Sequence, residues 1–180
     1  PSKYKSIHHK EIIGDILRID DINKAIKDCS AVFHFAAQAD IDLSNDNPYS
    51  TIESNIMGTQ NVLEASRKNE VNRFIFASSI YVYGELGSFY RVSKQSCEKL
   101  IEEYNNQFSL DYTILRYGSL YGPRANEFNF IYDMLKQAIK YNRIERKGNG
   151  EEIREYIHVK DAAKISVLAL QEKYKNSHVI

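Results

Sequence analysis

The sequence predicts an α/β fold built around a parallel sheet. Short apolar runs alternate with longer segments of helical period, and no internal repeat, proline-rich linker or low-complexity tract interrupts the alternation. At 180 residues the chain is long enough for one ordinary domain with a sizeable core. Strand–helix–strand order of this kind favours right-handed crossovers, so we expect helices to cover the sheet.

The first predicted strand and helix lie between residues 31 and 68. Residues 31–37 (AVFHFAA) form a continuous apolar run, which suits a strand covered on both faces. The period becomes helical over residues 48–68, and Pro48 is a favoured residue in the first turn of a helix. One stripe of this helix is formed by Ile52, Ile56, Thr59 and Leu63.

The alternation continues towards the C-terminal end. We predict strands over residues 73–78 (RFIFAS) and 112–117 (YTILRY), and a further strand opening at residues 177–180. Helical period predicts helices over residues 90–108, 128–141 and 161–172. A parallel sheet of this kind binds ligands at the carboxyl ends of its strands.

Composition and charge narrow the classes of function. Lysine and arginine number 24, as do aspartate and glutamate, so we do not expect nucleic acid as a partner. The two cysteines are too few for a disulfide framework, no Cys or His spacing offers a metal site, and a reducing cytoplasm is expected. The longest apolar run falls far below the ~20 residues that span a bilayer, so we expect no membrane segment.

One constellation points to chemistry. The predicted strand at residues 73–78 leads into Ser79, and Tyr90 and Lys94 lie one turn apart at the start of the following helix. The ammonium of Lys94 would lower the pKa of the Tyr90 phenol, which could then act as a base. Ser79 would donate a hydrogen bond to the same substrate oxygen, orienting the hydroxyl that loses its proton.

The Tyr-x-x-x-Lys spacing is not unique in this chain. It recurs at Tyr132/Lys136 and Tyr156/Lys160, in a sequence that contains 13 tyrosines. Only Tyr90/Lys94 opens a helix directly after a strand that ends in a serine pair, at the edge of the sheet where ligands bind. That context favours Tyr90/Lys94 over an exposed helix pair.

Five further segments, in order along nearly the whole chain, carry a family resemblance. With the serine pair and Tyr90/Lys94, they identify a resemblance to the extended short-chain dehydrogenase/reductase family, in its nucleotide-sugar epimerase and dehydratase branch. The segments are residues 14–16 (GDI), 32–38 (VFHFAAQ), 48–59 with Asn55 and Gly58-Thr59, 116–124 (RYGSLYGPR) and 154–161 (REYIHVKD).

The resemblance implies a Rossmann-like, doubly wound parallel sheet and a dinucleotide cofactor. Residues 1–124 would be an incomplete NAD(P)-binding domain with the Tyr/Lys helix, and residues 125–180 part of a substrate-side lobe interleaved with the sheet. The cofactor would be NAD, with NADP left open. Its implied contacts are Asp15, Ile16, Phe35, Ala36, Ala37, Gln38, Asn55, Ser78, Tyr90, Lys94 and Tyr117.

The resemblance also implies that the substrate is a nucleotide-linked sugar and that the reaction is 4-epimerisation through a transient 4-keto sugar. Substrate contacts would be Ser79, Ser119, Arg124 and Arg154, with arginine suited to a diphosphate. Dehydratases of this branch carry an Asp-Glu pair where Ile80-Tyr81 stands, which disfavours that activity. Decarboxylase, reductase and non-catalytic dinucleotide-binding readings stay open, as does a reductase of a lipid or other non-nucleotide substrate. A homodimer through helices 48–68 and 90–108 is also implied.

Two features depart from the family pattern. The glycine-rich turn that holds the cofactor pyrophosphate is absent from the sequence, so we expect a preceding strand-helix unit to be missing. Only ten residues separate Ser79 from Tyr90, where the family has a longer substrate-lining segment. We therefore expect that a mobile loop is omitted at residues 85–88.

Overall fold

Strands and helices alternate along the chain. The computed structural model describes residues 10–126, 128–145, 148–151 and 153–180. The strands are β1 (Ala31–His34), β2 (Arg73–Ser79), β3 (Tyr112–Tyr117), β4 (Ser119–Tyr121), β5 (Tyr156–His158) and β6 (Ser177–Val179). All pairings are parallel, in a main sheet of order β1-β2-β3-β6 and a small sheet of β4 and β5.

Seven α-helices accompany the strands in the described residues. They are α1 (Ile19–Ile26), α2 (Ile41–Asp46), α3 (Pro48–Ile52), α4 (Gly58–Lys68), α5 (Ser88–Phe108), α6 (Phe130–Tyr141) and α7 (Val159–Leu168). A π-helical turn, Glu53–Met57, joins α3 to α4, and 3-10 turns span Ile80–Tyr83 and Glu172–Tyr174. Among the described residues, no helix has both the length and the apolar composition to cross a bilayer.

Helices cover both faces of the main sheet. Because side chains alternate along a strand, Phe74 and Phe76 of β2 face one side and Ile75 faces the other. The two phenylalanines are fully buried in a core that includes Leu63 of α4 and Ile101 of α5. On the other face Ile75 packs with residues of β3, β6 and α7, namely Leu115, Val179 and Ile165. The doubly wound parallel sheet is thereby confirmed.

Most predicted elements are present, with differences at their ends. The first strand stops at His34 instead of residue 37, because the chain then turns to meet Asn55 through the backbone of Gln38. The helix predicted over residues 48–68 contains the π-helical turn, and the last predicted helix ends at Leu168. Helices α1 and α2 and the β4–β5 pair were not predicted.

Candidate active site

The carboxyl end of β2 delivers two serines to the edge of the sheet. In register, Ser78 lies opposite Arg116 and Ser79 opposite Tyr117 on β3. The Ser79 hydroxyl accepts a hydrogen bond of 3.3 Å from the backbone N–H of Tyr81, which begins the 3-10 turn. Both serines are buried, at 3% and 6% exposure. Their hydroxyls are therefore fixed rather than solvated.

A short connection takes the chain from Ser79 to α5. After the 3-10 turn, Gly87 adopts φ +97° as the residue before the helix, and a Cβ there would lie 3.2 Å from the side chain of Tyr81. In this sequence, ten residues lie between Ser79 and Tyr90, and α5 begins at Ser88. The first turn of α5 consequently lies beside the end of β2.

Tyr90 and Lys94 both lie on α5 facing the end of β2. Burial raises the pKa of Tyr90 to about 12, and the neighbouring Ser79 side chain opposes this rise. The Lys94 ammonium donates to the carbonyl oxygen of Ala77 over 2.7 Å and lies 5.8 Å from the centre of the Tyr90 ring. Burial lowers the pKa of Lys94 to about 8.

This arrangement differs from the expectation that Lys94 lowers the pKa of the Tyr90 phenol. The ammonium is bound to the backbone of Ala77, and desolvation disfavours the phenolate. Tyr90 is accordingly a neutral phenol at neutral pH in this structure. The neighbouring Ser79 side chain opposes the effect of burial, since it lowers the pKa of Tyr90.

The serines, Tyr90 and Lys94 line one cleft with several residues predicted to contact the cofactor. Its volume is about 370 Å³. The predicted residues that share it are Phe35, Ala37, Ser78, Ser79, Tyr90, Lys94 and Tyr117. The Tyr117 hydroxyl is hydrogen-bonded to that of Ser166 on α7 over 2.6 Å. The cleft therefore lies between β1, β2, β3 and α7 at the carboxyl edge of the sheet.

A second cavity extends along β1 to the start of the described chain. It measures about 280 Å³, and Ile16, Phe35 and Ala36 are among its lining residues. Phe35 lines both this cavity and the cleft, so the two adjoin. Asp15 does not line either one; its carboxylate accepts a 2.9 Å hydrogen bond from the backbone N–H of Leu17. Together the two cavities form an extended, mainly apolar cleft.

Asn55 acts on the backbone around the cleft. Its side chain accepts from the N–H of Gln38 over 2.7 Å and donates to the Gln38 carbonyl over 3.0 Å. It also donates to the hydroxyl of Ser93 over 2.9 Å, and that hydroxyl donates to the carbonyl of Tyr90 over 2.8 Å. Asn55 therefore fixes the segment after β1 relative to the first turns of α5.

The other three predicted substrate residues, Ser119, Arg124 and Arg154, lie outside the cleft that holds Ser79. Ser119 and Arg154 line a cavity of about 750 Å³ that also includes Gln38 and Tyr81. Arg154 lies over the ring of Phe130, with its guanidinium carbon 5.4 Å from the ring centre. Arg124 lines a neighbouring depression of about 200 Å³, which shares three lining residues with the larger cavity. The structure thus brings Ser119 and Arg154 into one cavity and Arg124 into the depression that adjoins it.

The other two Tyr-x-x-x-Lys pairs lie away from the cleft. Tyr132 and Lys136 are on α6, where Tyr132 is 40% exposed. Tyr156 belongs to β5 and Lys160 to α7, so they do not share a helix. Only the pair on α5 meets the serines of β2. Context, and not spacing, is what distinguishes it.

Sequence reasoning missed several residues beside the cleft. Tyr81 lines the larger cavity and packs edge-on against Tyr90, with ring centres 6.4 Å apart. Glu98, buried on α5, binds Ser78 and Arg116. The available signal was the position of Glu98 one turn beyond Lys94. Within the described residues, no cluster of three His, Cys, Asp or Glu side chains could hold a metal ion.

Comparisons with known proteins agree with this geometry. The family model described as the NAD dependent epimerase/dehydratase family matches residues 2–180. A Methanocaldococcus jannaschii protein that carries the provisional name UDP-glucose 4-epimerase is 32% identical over 91% of this chain and 60% of its own length. A UDP-glucuronate 4-epimerase of Thermodesulfobacterium geofontis is 29% identical over 79% of this chain and 48% of its own.

Solved structures share the fold. UDP-glucose 4-epimerase of Thermotoga maritima, determined with UDP-glucose, superposes with a TM-score of 0.85 at 28% identity, covering 92% of this chain and 60% of that one. UDP-N-acetylglucosamine 4-epimerase of Methanobrevibacter ruminantium gives 0.82 at 30% identity, over 93% and 58%. The chain thus spans about half to three fifths of the relatives it matches. Since the family model covers nearly all of its residues, the chain belongs to the NAD-dependent epimerase/dehydratase family.

Proposed function

We propose that the complete protein is an NAD-dependent 4-epimerase of a nucleotide-linked sugar. The observation that carries the proposal is the meeting of Ser79, Tyr90 and Lys94 in one cleft at the carboxyl edge of the sheet. A base, a cation and a hydroxyl donor in that position suit removal of a proton from a sugar hydroxyl. The relatives are named as 4-epimerases and as 4,6-dehydratases, and both names support chemistry on a nucleotide-linked sugar.

The three side chains have separate roles in the proposed reaction. In the complete enzyme with its ligands bound, Tyr90 would react as the phenolate, take the proton of the 4-hydroxyl and return it after the sugar has presented its other face. Ser79 would orient the same oxygen, and its side chain already opposes the rise in the Tyr90 pKa. Lys94, which donates to the Ala77 carbonyl in this structure, would supply the positive charge that stabilises the phenolate. NAD, when bound, supplies the hydride acceptor and donor.

The adjoining cavities fit the cofactor. Ile16 and Ala36 would contact the adenine half, while Ala37, Lys94 and Tyr117 would contact the nicotinamide half, with Phe35 between them. Asn55 would act through the Gln38 backbone, along which the cofactor would lie. Of the two possible cofactors, NAD and NADP, we assign NAD, because the family is described as NAD dependent. The pyrophosphate would require the glycine-rich turn, which the 180 residues lack.

The larger cavity is the proposed sugar-nucleotide site. Ser119 and Arg154 line it, and the planar fork of Arg154 suits a diphosphate. Arg124 would contribute only if the neighbouring depression joins the site in the complete protein. The residues after Ser79 disfavour a dehydratase, because Ile80 and Tyr81 carry no carboxyl group to eliminate water.

Three further properties are proposed with the activity. Residues 1–124 are assigned to the cofactor-binding domain and residues 125–180 to the substrate side. A homodimer would form through helices α3 to α4 and α5, which is supported by their exposed apolar side chains Tyr49, Met57, Phe89 and Val92. A cytoplasmic location is supported by two free cysteines, one of them buried.

The test uses the complete protein with NAD and three UDP-sugars: UDP-glucose, UDP-N-acetylglucosamine and UDP-glucuronate. Proton NMR and mass spectrometry should find the C4 epimer, at unchanged mass, in at least one reaction. In D₂O the product should carry no deuterium, because the hydride removed from C4 is the one returned. Loss of water would identify a dehydratase and loss of CO₂ a decarboxylase.

Matched tyrosine variants separate catalysis from binding alone. Tyr90→Phe should abolish epimerisation, whereas Tyr132→Phe, at the same spacing from a lysine on exposed α6, should leave it unchanged. If NAD binds but no UDP-sugar is converted, the non-catalytic module is the better description. If turnover survives in Tyr90→Phe, the assignment of the base is wrong.

A further inference from the structure

A buried glutamate on α5 connects all the elements that carry the proposed reacting groups. Glu98 is 4% exposed, and its carboxylate accepts a 2.5 Å hydrogen bond from the Ser78 hydroxyl. It also accepts two hydrogen bonds from the guanidinium of Arg116 on β3, of 3.1 and 2.6 Å. Both carboxylate oxygens are therefore occupied in a fork-to-fork pair, the geometry in which an arginine–carboxylate pair is strongest.

The position of Glu98 along α5 follows a regular spacing. Tyr90, Lys94 and Glu98 are four residues apart and so lie on one face of the helix, one turn after another. Lys94 donates to the carbonyl of Ala77 and Glu98 accepts from the hydroxyl of Ser78, while Tyr90 lines the same cleft as Ser79. Two successive turns of α5 thus hold the two residues of β2 that precede Ser79.

Arg116 extends these contacts to the connection that follows β2. Its third nitrogen donates to the hydroxyl of Tyr83 over 2.5 Å, and the guanidinium carbon lies 4.6 Å from the centre of the Tyr83 ring. Tyr83 ends the 3-10 turn that begins after Ser79. Ser79 is consequently anchored on both sides, through Ser78 to Glu98 and through Tyr83 to Arg116.

We propose that Glu98 and Arg116 are a positioning pair for the proposed reaction, which hold Ser79 in register with Tyr90 and Lys94 and place a negative charge beside the Lys94 ammonium. The inference rests on the proposed function for the roles of those three groups. Neither member of the pair lines the cleft, so they act through the residues that they hold.

The charge of Glu98 favours the protonated form of Lys94. Burial lowers the pKa of Lys94, and Glu98 is one of the two groups that oppose this effect, the other being Cys97. The titratable groups that face Lys94 are Tyr90, Cys97 and Glu98 on its own helix, His34 from β1 and Tyr117 from β3. Glu98 itself faces Arg116 from β3 and His178 from β6, whose Nδ1 lies 3.6 Å from the carboxylate. Among these groups Glu98 is the carboxylate, so removal of its negative charge should directly lower the pKa of Lys94.

Kinetics of the complete protein test the positioning role. Glu98→Gln preserves size and removes the charge, and it should lower kcat about tenfold to a hundredfold while KM for the sugar nucleotide stays within about twofold. Glu102→Gln is the matched control, because Glu102 lies one turn further along α5, is ion-paired with Lys99 and is more exposed. It should leave both constants unchanged. An equal effect of the two variants, or a change confined to KM, would overturn the proposal.

A double variant guards against a failure of Glu98→Gln to fold. Glu98→Gln with Arg116→Met leaves no unpaired charge beside β2 and should fold. It should show the same loss of kcat, since the pair acts as a unit. A folded double variant with wild-type kcat would show that the pair contributes only to packing, which would contradict the inference.

A second readout does not depend on epimerase activity. In protein labelled with ¹³C-lysine, the NMR titration of Lys94 should move down by about one unit in Glu98→Gln and not in Glu102→Gln. If wild type converts no nucleotide sugar but this shift is seen, the proposed function fails and the Glu98–Lys94 coupling stands. If wild type is active and the midpoint does not move, the coupling fails and the proposed function stands.

Discussion

Acid should destabilise this fold through one histidine, His34. The side chain is 4% exposed at the end of β1 and packs between Phe74 and Phe76. Its Nε2 lies 2.9 Å from the hydroxyl of Thr59, which itself donates to the carbonyl of Asn55 over 2.6 Å. The Thr59 proton is therefore committed, so neutral His34 donates from Nε2.

Burial and, to a lesser degree, the Lys94 charge lower the pKa of His34 from 6.5 to about 3. Between these two pKa values, His34 is therefore protonated in the unfolded chain but neutral in the folded one. The stability that comes from neutral His34 is fully present above pH 6.5, the pKa in the unfolded chain. It is lost as the pH falls towards the pKa of His34 in the folded chain. At about 1.4 kcal/mol per unit, two units of pH should remove about 3 kcal/mol from the free energy of unfolding.

Urea unfolding of wild type and His34→Gln at pH 7 and pH 4.5 measures this effect. Glutamine keeps an N–H donor for Thr59 but cannot take up a proton. Wild type should lose about 3 kcal/mol more than the variant between the two conditions. Carboxylates such as Glu64, whose pKa is lowered mainly by Arg67, are present in both proteins and cancel. Equal losses in the two proteins would refute the assignment of the acid sensitivity to His34.

Five other outcomes are expected. Tyr90→Phe should abolish turnover with an unchanged circular dichroism spectrum, and Ser79→Ala should lower kcat about a hundredfold, as loss of one transition-state hydrogen bond does. The 180-residue chain alone should bind NAD weakly by calorimetry, because it lacks a glycine-rich turn and each lost charge-assisted hydrogen bond costs about 1.5–3 kcal/mol; micromolar affinity would contradict this. The complete protein should sediment as a dimer at micromolar concentration, and a monomer alone would exclude the proposed interface. Gly122→Ala should lower the free energy of unfolding by about 2 kcal/mol, because φ is +133° and the new Cβ would lie 2.9 Å from His158 and Val159; an unchanged Tm would contradict it.

Much of the fold was accessible from the sequence because its strands are fully buried. The apolar runs of β2 and β3 are long and bounded by polar residues, and α5 is long enough for its period to be read. Strands β4 and β5 have three residues each, too few for a period to appear. Helix α1 did carry a signal, with Ile19, Ile22 and Ile26 on one side, but its eight residues lie below the usual length of a recognisable helix.

The candidate site was predictable where residues are close in sequence and not where the fold joins them. Ser79, Tyr90 and Lys94 follow one another along the chain, so their meeting could be predicted. The pairing of Glu98 with Arg116 depends on the register between β2 and β3 and on the rotation of α5. Arg124 was expected at the substrate site through the resemblance of residues 116–124, and it lines a depression beside the cavity of Arg154.

The π-helical turn at Glu53–Met57 limits where insertions and deletions can occur in this chain. Its defining bond runs from the N–H of Gly58 to the carbonyl of Glu53, a ring one residue wider than in an α-helix. The wider turn changes the phase of α4 relative to α3, and Asn55 lies within it. Removal of one residue would make the helix regular while rotating Asn55 away from Gln38 and Ser93. Among homologues, gaps should therefore be tolerated before Pro48 and after Lys68 but not between them.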